Sequence, residues 1–324
     1  MRKAEPLVLM VSLQAALACD SSETASPATA CTPYETQACL GVGACRGGQL
    51  CLSDGSGWTA CDCGSIAASD GPTALACGAE QKVSTLACDD NVSIRQAGSK
   101  YWINDNVWGR TTGDTDSMQC IWLGCESADV IAWGTSWSWK GSRSSVKAYP
   151  SIIFGWSWGL KIQDTGLPVA LYANHSLTTG WRFTVRPSGE EPFRMNVSYD
   201  LWLHVISTPD ASNVGDNVPT DEVMVWLYRT DDVTPLGGPV VSGIPLAGTT
   251  WDLWEGQANP WMTHSFVRTE LVTNTELDLR ELLGYLVSER GLDGRKFLTS
   301  IQAGSEVFVG SGQLDTSAYY VRVQ

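Results

Sequence analysis

Three stretches of the chain alternate polar and apolar residues with a period of two. In Thr220–Arg229, Glu222, Met224 and Trp226 fall on one face of a predicted strand, and Val223, Val225 and Leu227 on the other. In Asn196–Val205, Val197, Tyr199, Leu201 and Leu203 oppose Asn196, Ser198, Asp200, Trp202 and His204. Phe297–Val309 reads as a third strand, with Ile301, Ala303, Val307 and Val309 opposite Gln302, Gly304, Glu306 and Phe308. Alternation alone describes any half-solvated antiparallel strand. These stretches differ because their polar faces also carry Met224, Trp226, Trp202 and Phe308. A concave face with three carboxylates beside flat apolar surfaces suits a cleft for sugars.

From about Cys77 onward, short strands follow one another between Gly, Asn, Asp and Pro turns, which predicts an all-β sandwich or jelly roll. One helix interrupts them. In Thr275–Arg290, Leu279, Leu282, Leu283, Leu286 and Val287 recur at helical spacing, with Asn274 or Thr275 as N-cap and Gly291 as the stop. Its expected place is the outside of one sheet. Composition agrees with a β-rich chain: 32 Gly and 15 Trp in 324 residues. A net charge of −14 would repel nucleic acid and anionic membrane surfaces and leaves a neutral substrate as the better fit.

Eleven cysteines indicate an oxidising compartment. The first 18 residues read as a signal peptide, with a basic start, an apolar run over Pro6–Ala18 and the small-residue site Ala16-Leu17-Ala18. A general signal peptidase and a lipoprotein signal peptidase would both cut before Cys19. Setting Cys19 aside leaves ten cysteines, an even number, which favours a lipid anchor there as the one link to a membrane. Residues 19–30 form a polar linker. Residues 31–63 form a small Gly-rich module whose six cysteines predict three disulfides of unreadable connectivity. A second linker covers 64–76, and 77–324 form the main domain.

Several motifs are decoys. Gly155-Trp156-Ser157-Trp158-Gly159 matches a nucleophile elbow, but no helix follows Gly159 and no βαβ pattern surrounds it, so it reads as a loop on the cleft. Cys61-Asp62-Cys63 lacks zinc-ribbon spacing, and Gly41-Val42-Gly43 lacks a flanking strand and helix. No metal or nucleotide motif follows residue 88, so no cofactor is expected. Paired carboxylates remain. Together with Asn106-Val107-Trp108-Gly109, Tyr149-Pro150-Ser151, Asn196–Trp202, Asp221–Trp226, Pro235-Leu236-Gly237 and Ser300–Phe308, they give the chain from about Cys88 to its end a resemblance to glycoside hydrolase family 12.

The resemblance implies a jelly roll of two antiparallel sheets, one curved around an open groove, and retaining endo-hydrolysis of a β-1,4-glucan such as cellulose-like glucan, mixed-linkage glucan or xyloglucan. It implies Glu222 as nucleophile, Glu306 as general acid/base and Asp200 as an assisting carboxylate. Asn106, Trp108, Tyr149, Trp158, Asn196, Met224, Trp226, Pro235 and Phe308 would bind substrate or surround the reacting centre, and the protein would act as a monomer. It also implies a disulfide between Cys88 and Cys120, leaving Cys77 and Cys125 as a further pair. Trp137 and Trp139 read equally well as core or cleft. Val307 stands where the family has Pro. The alternative is a carbohydrate-binding protein on the same sandwich with no catalysis.

Overall fold

The computed structural model describes residues 29–41, 46–62, 71–112, 114–189, 193–212 and 214–324. The expected signal peptide, Cys19, Cys45, Cys63 and residues 64–70 lie outside them. In chain order the elements are β1 (Thr36–Leu40), β2 (Arg46–Leu50), α1 (Ala79–Thr85), β3 (Ser93–Ile94), β4 (Trp102–Asn104), β5 (Met118–Ser127), β6 (Val130–Trp139), β7 (Ser151–Ser157), β8 (Leu160–Lys161) and β9 (Val169–Ala170). Then follow β10 (Leu177–Ser188), β11 (Arg194–His204), β12 (Asp221–Arg229), β13 (Gly238–Leu246), β14 (Thr249–Gln257), β15 (Met262–Arg268), β16 (Asn274–Asp278), α2 (Leu279–Glu289), β17 (Phe297–Gly304) and β18 (Val307–Val323).

Two sheets face each other, forming the expected jelly-roll sandwich. The larger runs β13-β14-β15-β12-β11-β17-β7-β4-β3, and the smaller runs β5-β6-β18-β10-β16. The pairing is antiparallel with one departure from expectation: β12 and β15 are parallel, with Glu222 opposite Thr263. The chain leaves β12, turns through the hairpin β13–β14 at the sheet edge and returns beside β12 in the same direction.

Phe297–Val309 is not one strand. It breaks at Ser305–Glu306, where β17 of the larger sheet gives way to β18 of the smaller. At the same joint Arg194 and Met195 of β11 pair with Val309 and Val307, so the two sheets meet there. Gly304 makes the corner possible, because a Cβ at that position would lie 2.3 Å from the carbonyl oxygen of Pro150.

The alternating apolar faces meet between the sheets. Val197, Tyr199, Leu201, Val223, Val225, Leu227, Ile301 and Ala303 pack with Trp133, Trp181 and Phe183 from the smaller sheet. Trp137 and Trp139 are core side chains; the Trp139 indole donates to Gln119 Oε1 at 2.9 Å.

Helix α2 begins later than periodicity suggests. Asn274–Asp278 is a strand with alternating burial paired to β10, and Asp278 is the N-cap, accepting from the Arg280 amide at 2.9 Å. Gly291, at φ +75°, follows the last turn as expected. The helix is not on the outside of a sheet. Leu279, Leu282, Leu283 and Leu286 join the main core with Trp251 and Phe266, because the nine-stranded sheet extends past the smaller one and α2 covers the inner face left over. The short α1 was not anticipated.

In the N-terminal module, Cys31–Cys51 and Cys39–Cys61 staple the hairpin β1–β2. The hairpin rests on the sandwich: Thr36 Oγ1 accepts from the Val185 amide at 2.9 Å, and Tyr228 Oη donates to the Tyr34 carbonyl at 3.1 Å. Cys88 is bonded to Cys120, the pairing that the resemblance implies, and the remaining Cys77 to Cys125. Four disulfides among the described residues fit a protein that matures in an oxidising compartment.

Candidate active site

Strand register lines up Met224, Asp200, Gln302, Ile153 and Trp102 in one row across β12, β11, β17, β7 and β4. All five line a groove of about 660 Å³. At the usual spacing between strands the row is about 19 Å long, enough for several linked sugar rings. Ser157, Trp158 and Leu160, at the far end of β7, line it on one side, and Asn106, Trp108 and Tyr149 on the other. Asn91, Ser93 and Asn104 close the β3–β4 end, and Trp261 stands beside β12.

Local structure explains how these walls are held. The decoy motif is a hairpin: Ser157 pairs with Leu160, and the turn residues Trp158 and Gly159 have φ of +44° and +95°. Both angles are positive, as a tight hairpin requires. Trp158 is 43% exposed and meets Trp202 and Trp261, whereas Trp156 is buried beneath it against His204. Across the groove Trp108 is 62% exposed. Its loop is tied down by Tyr149 N to Asn106 O at 3.1 Å, by Gly109 N to Lys147 O at 2.9 Å, and by the buried pair Lys147–Asp114 at 3.3 Å.

Three carboxylates converge at the β12 end. Glu222 Oε2 accepts from Thr263 Oγ1 at 2.8 Å and from the Trp261 indole N–H at 3.2 Å, and Asp200 is hydrogen-bonded to the same carboxylate. Glu306 is cradled by Asn196, whose Nδ2 donates to Glu306 Oε2 at 2.5 Å and whose Oδ1 accepts from the Glu306 amide at 2.9 Å.

The electrostatics separate these acids. Burial, then the charges of Glu222 and Glu306, push Asp200 well above the usual carboxylate range, so it holds a proton that it can donate to Glu222. Burial also raises Glu222, but Thr263, Trp261 and Asp200 oppose it by hydrogen-bonding its charged form. Burial, followed by repulsion from Glu222, lifts Glu306 to about 7 against the Asn196 bond. Glu222 stays raised on balance, but its three donors favour the charged form, while Glu306 keeps its proton near neutral pH.

Behind β12, on the face turned from the groove, charges brace the strands. Burial opposes ionisation of Asp221, yet His264, Lys296 and Thr220 outweigh it and hold its carboxyl below the usual range. His264 Nδ1 lies 3.1 Å from Glu255, and Arg290 holds Glu255 at 2.7 Å. Among the described residues, no three His, Cys, Asp or Glu side chains gather as a metal site.

Of the residues expected at the groove, Glu222, Glu306, Asp200, Asn106, Trp108, Tyr149, Trp158 and Met224 line it. Four do not. Trp226 and Phe308 are covered in an apolar cluster with Val233 and Val267, one step along the sheet from the floor row. Pro235 is buried away from the groove, and Asn196 lies behind Glu306. Gln302, placed by its period on the face of Glu306, also lines the groove, and residues that the sequence reading missed include Trp102, Trp261 and Thr263. The alternation of Trp261 and Thr263 was visible, but nothing in the sequence announces a parallel pairing of their strand with β12.

The family profile for glycosyl hydrolase family 12 matches residues 99–324. The chain belongs to that family. Endoglucanase S of Pectobacterium parmentieri is 31% identical over 233 residues, covering 70% of this chain and 83% of that protein. A probable xyloglucan-specific endo-β-1,4-glucanase A of Aspergillus terreus is 36% identical over 228 residues, covering 69% and 82%. In three dimensions, the family 12 xyloglucanase of Bacillus licheniformis superposes with a TM-score of 0.65 at 29% identity, covering 74% of this chain and all of that one. The family 12 domain thus contains the whole groove apart from Asn91 and Ser93.

Proposed function

We propose that this family 12 protein is a retaining, endo-acting hydrolase of β-1,4-glucan backbones. The observation that carries the reading is the pair Glu222 and Glu306, half-buried together at one end of a long open groove, one supplied with donors and the other keeping its proton to about 7. In the first step Glu222 attacks the anomeric carbon, the bond to the leaving O4 breaks, and the Glu306 proton passes to that oxygen. In the second, Glu306, now ionised, takes a proton from water as the water oxygen bonds to the same carbon and Glu222 leaves. Two inversions restore the β configuration. Asp200 shares its proton with Glu222 and steadies its charge. Sugar faces carry C–H groups, and Trp108 and Trp158 offer them exposed indole planes without desolvating a charge. An open groove favours cleavage within a chain.

Reducing ends are expected from xyloglucan, mixed-linkage glucan and carboxymethylcellulose, with the β-anomer first in the NMR spectrum of fresh products. An α-anomer would overturn the retaining mechanism, and no release from any of the three would overturn the hydrolase reading. The anchored form follows from Cys19: the full chain expressed in a bacterial host is expected to enter the detergent phase, and Cys19→Ser to leave it. Equal partitioning of the two would refute the lipid anchor.

A further inference from the structure

We propose that Trp261 is a positioning residue: its indole N–H, with the Thr263 hydroxyl, grips Glu222 by Oε2 and ties that grip to the aromatic wall of the groove. This rests on Glu222 being the nucleophile. Parallel pairing sets Thr263 directly opposite Glu222, and Trp261, in the bend just before β15, reaches the same carboxylate and lines the groove. Two neutral donors reach the same oxygen, at 2.8 and 3.2 Å, and neither contacts Oε1.

Trp261 is itself held. Its indole meets Trp202 edge-on with ring centres 5.0 Å apart and Trp158 at 6.4 Å, and its backbone carbonyl accepts from Gln257 Nε2 at 2.8 Å and from the Ala258 amide at 3.0 Å. A donor fixed by packing loses little freedom on meeting the carboxylate. Since Trp158 is the exposed member of the wall, a sugar resting on it presses on the rings that orient the nucleophile. The ionisable neighbours of Glu222 are Asp200 from β11 and Glu306 from the β17–β18 joint, with Asp221, His264 and Lys296 behind β12.

Covalent trapping reads this role directly. With 2,4-dinitrophenyl 2-deoxy-2-fluoro-β-cellobioside, a Glu222 oxygen bonds to the anomeric carbon and the electron pair leaves with dinitrophenolate, so Glu306 need not supply a proton. Trp261→Phe keeps a ring and removes the N–H. It is expected to slow labelling of Glu222 by about 10- to 100-fold, as the loss of a hydrogen bond to a charged group does. The acidic limb of the labelling rate is expected to move up by about one pH unit. Cellotetraose binding and melting temperature stay as in the parent, whereas Trp261→Ala also weakens binding. Thr263→Val, which spares the aromatic wall, is expected to act in the same direction and serves if the first variant folds poorly. Parental labelling rates and an unmoved acidic limb in Trp261→Phe and Thr263→Val would overturn the inference alone. Absence of label on Glu222 in the parent protein would instead overturn the nucleophile assignment beneath it.

Discussion

Glu222→Gln is expected to lower glucan hydrolysis by roughly 10⁴-fold or more, the scale on which removal of an attacking group acts. The amide fills the same volume and can still accept from Thr263 and Trp261, so the groove and its affinity for oligosaccharides survive. What disappears is the negative charge that forms the glycosyl bond. A second effect follows at Glu306. Repulsion by Glu222 is the next largest cause, after burial, of its raised proton affinity. In Glu222→Gln that repulsion is gone, so the carboxyl of Glu306 titrates at lower pH, readable from its carboxyl carbon by NMR. Retained turnover, or an unshifted Glu306, would contradict the arrangement.

Glu306→Gln is expected to divide substrates by their leaving groups. Glucan, whose departing O4 needs a proton, slows by about 10²- to 10⁴-fold, the usual range for a general acid. Aryl glycosides with acidic phenols still form the glycosyl-enzyme, which then accumulates because no base activates water. Azide, needing no base, restores turnover and yields a β-glycosyl azide. In the parent, kcat/KM on glucan falls as pH rises through about 7, where Glu306 loses its proton. The same residue affects stability. Its pKa is raised from 4.5 to about 7 in the fold, so the folded protein binds this proton more tightly than the unfolded chain. The stabilisation is complete below about 4.5 and is lost as pH rises through about 7. Glu306→Gln is therefore expected to be more stable than the parent at pH 8, on the order of 2 kcal/mol after screening, and not at pH 4. Urea midpoints at the two pH values test the sign.

The main strands were legible because burial on one face leaves a period of two in the residues. Val223, Val225 and Leu227 could face only the core, which put Glu222 on the other side. Asp200 followed by the same logic on β11. Glu306 was found from its stretch, yet the stretch was read as continuous; a change of sheet at Ser305–Glu306 leaves the alternation almost intact and so hides in sequence. Trp226 and Phe308 carried the right face but lay one step beyond the floor, and a period cannot say where along a strand a groove runs. Asn274–Asp278 was absorbed into the helix because it holds a single apolar residue, Leu277, too few to show a period of two, and Asn274 and Thr275 suit an N-cap. The donors Trp261 and Thr263 depend on a parallel pairing made by a chain reversal, a long-range contact that no local pattern records.

The joint at Ser305–Glu306 divides the labour of the protein between what must stay and what can change. Glu306 sits in a seam stitched by both sheets, with backbone bonds on each side, so heat that parts the sandwich displaces it with both of them. The exposed indoles of the groove hang instead from the hairpin turn at Trp158 and the loop at Trp108, outside that seam. The two turns are therefore not equivalent: redrawing the loop at Trp108 changes the rim alone, whereas redrawing the turn at Trp158 also touches Trp261 and, through it, Glu222.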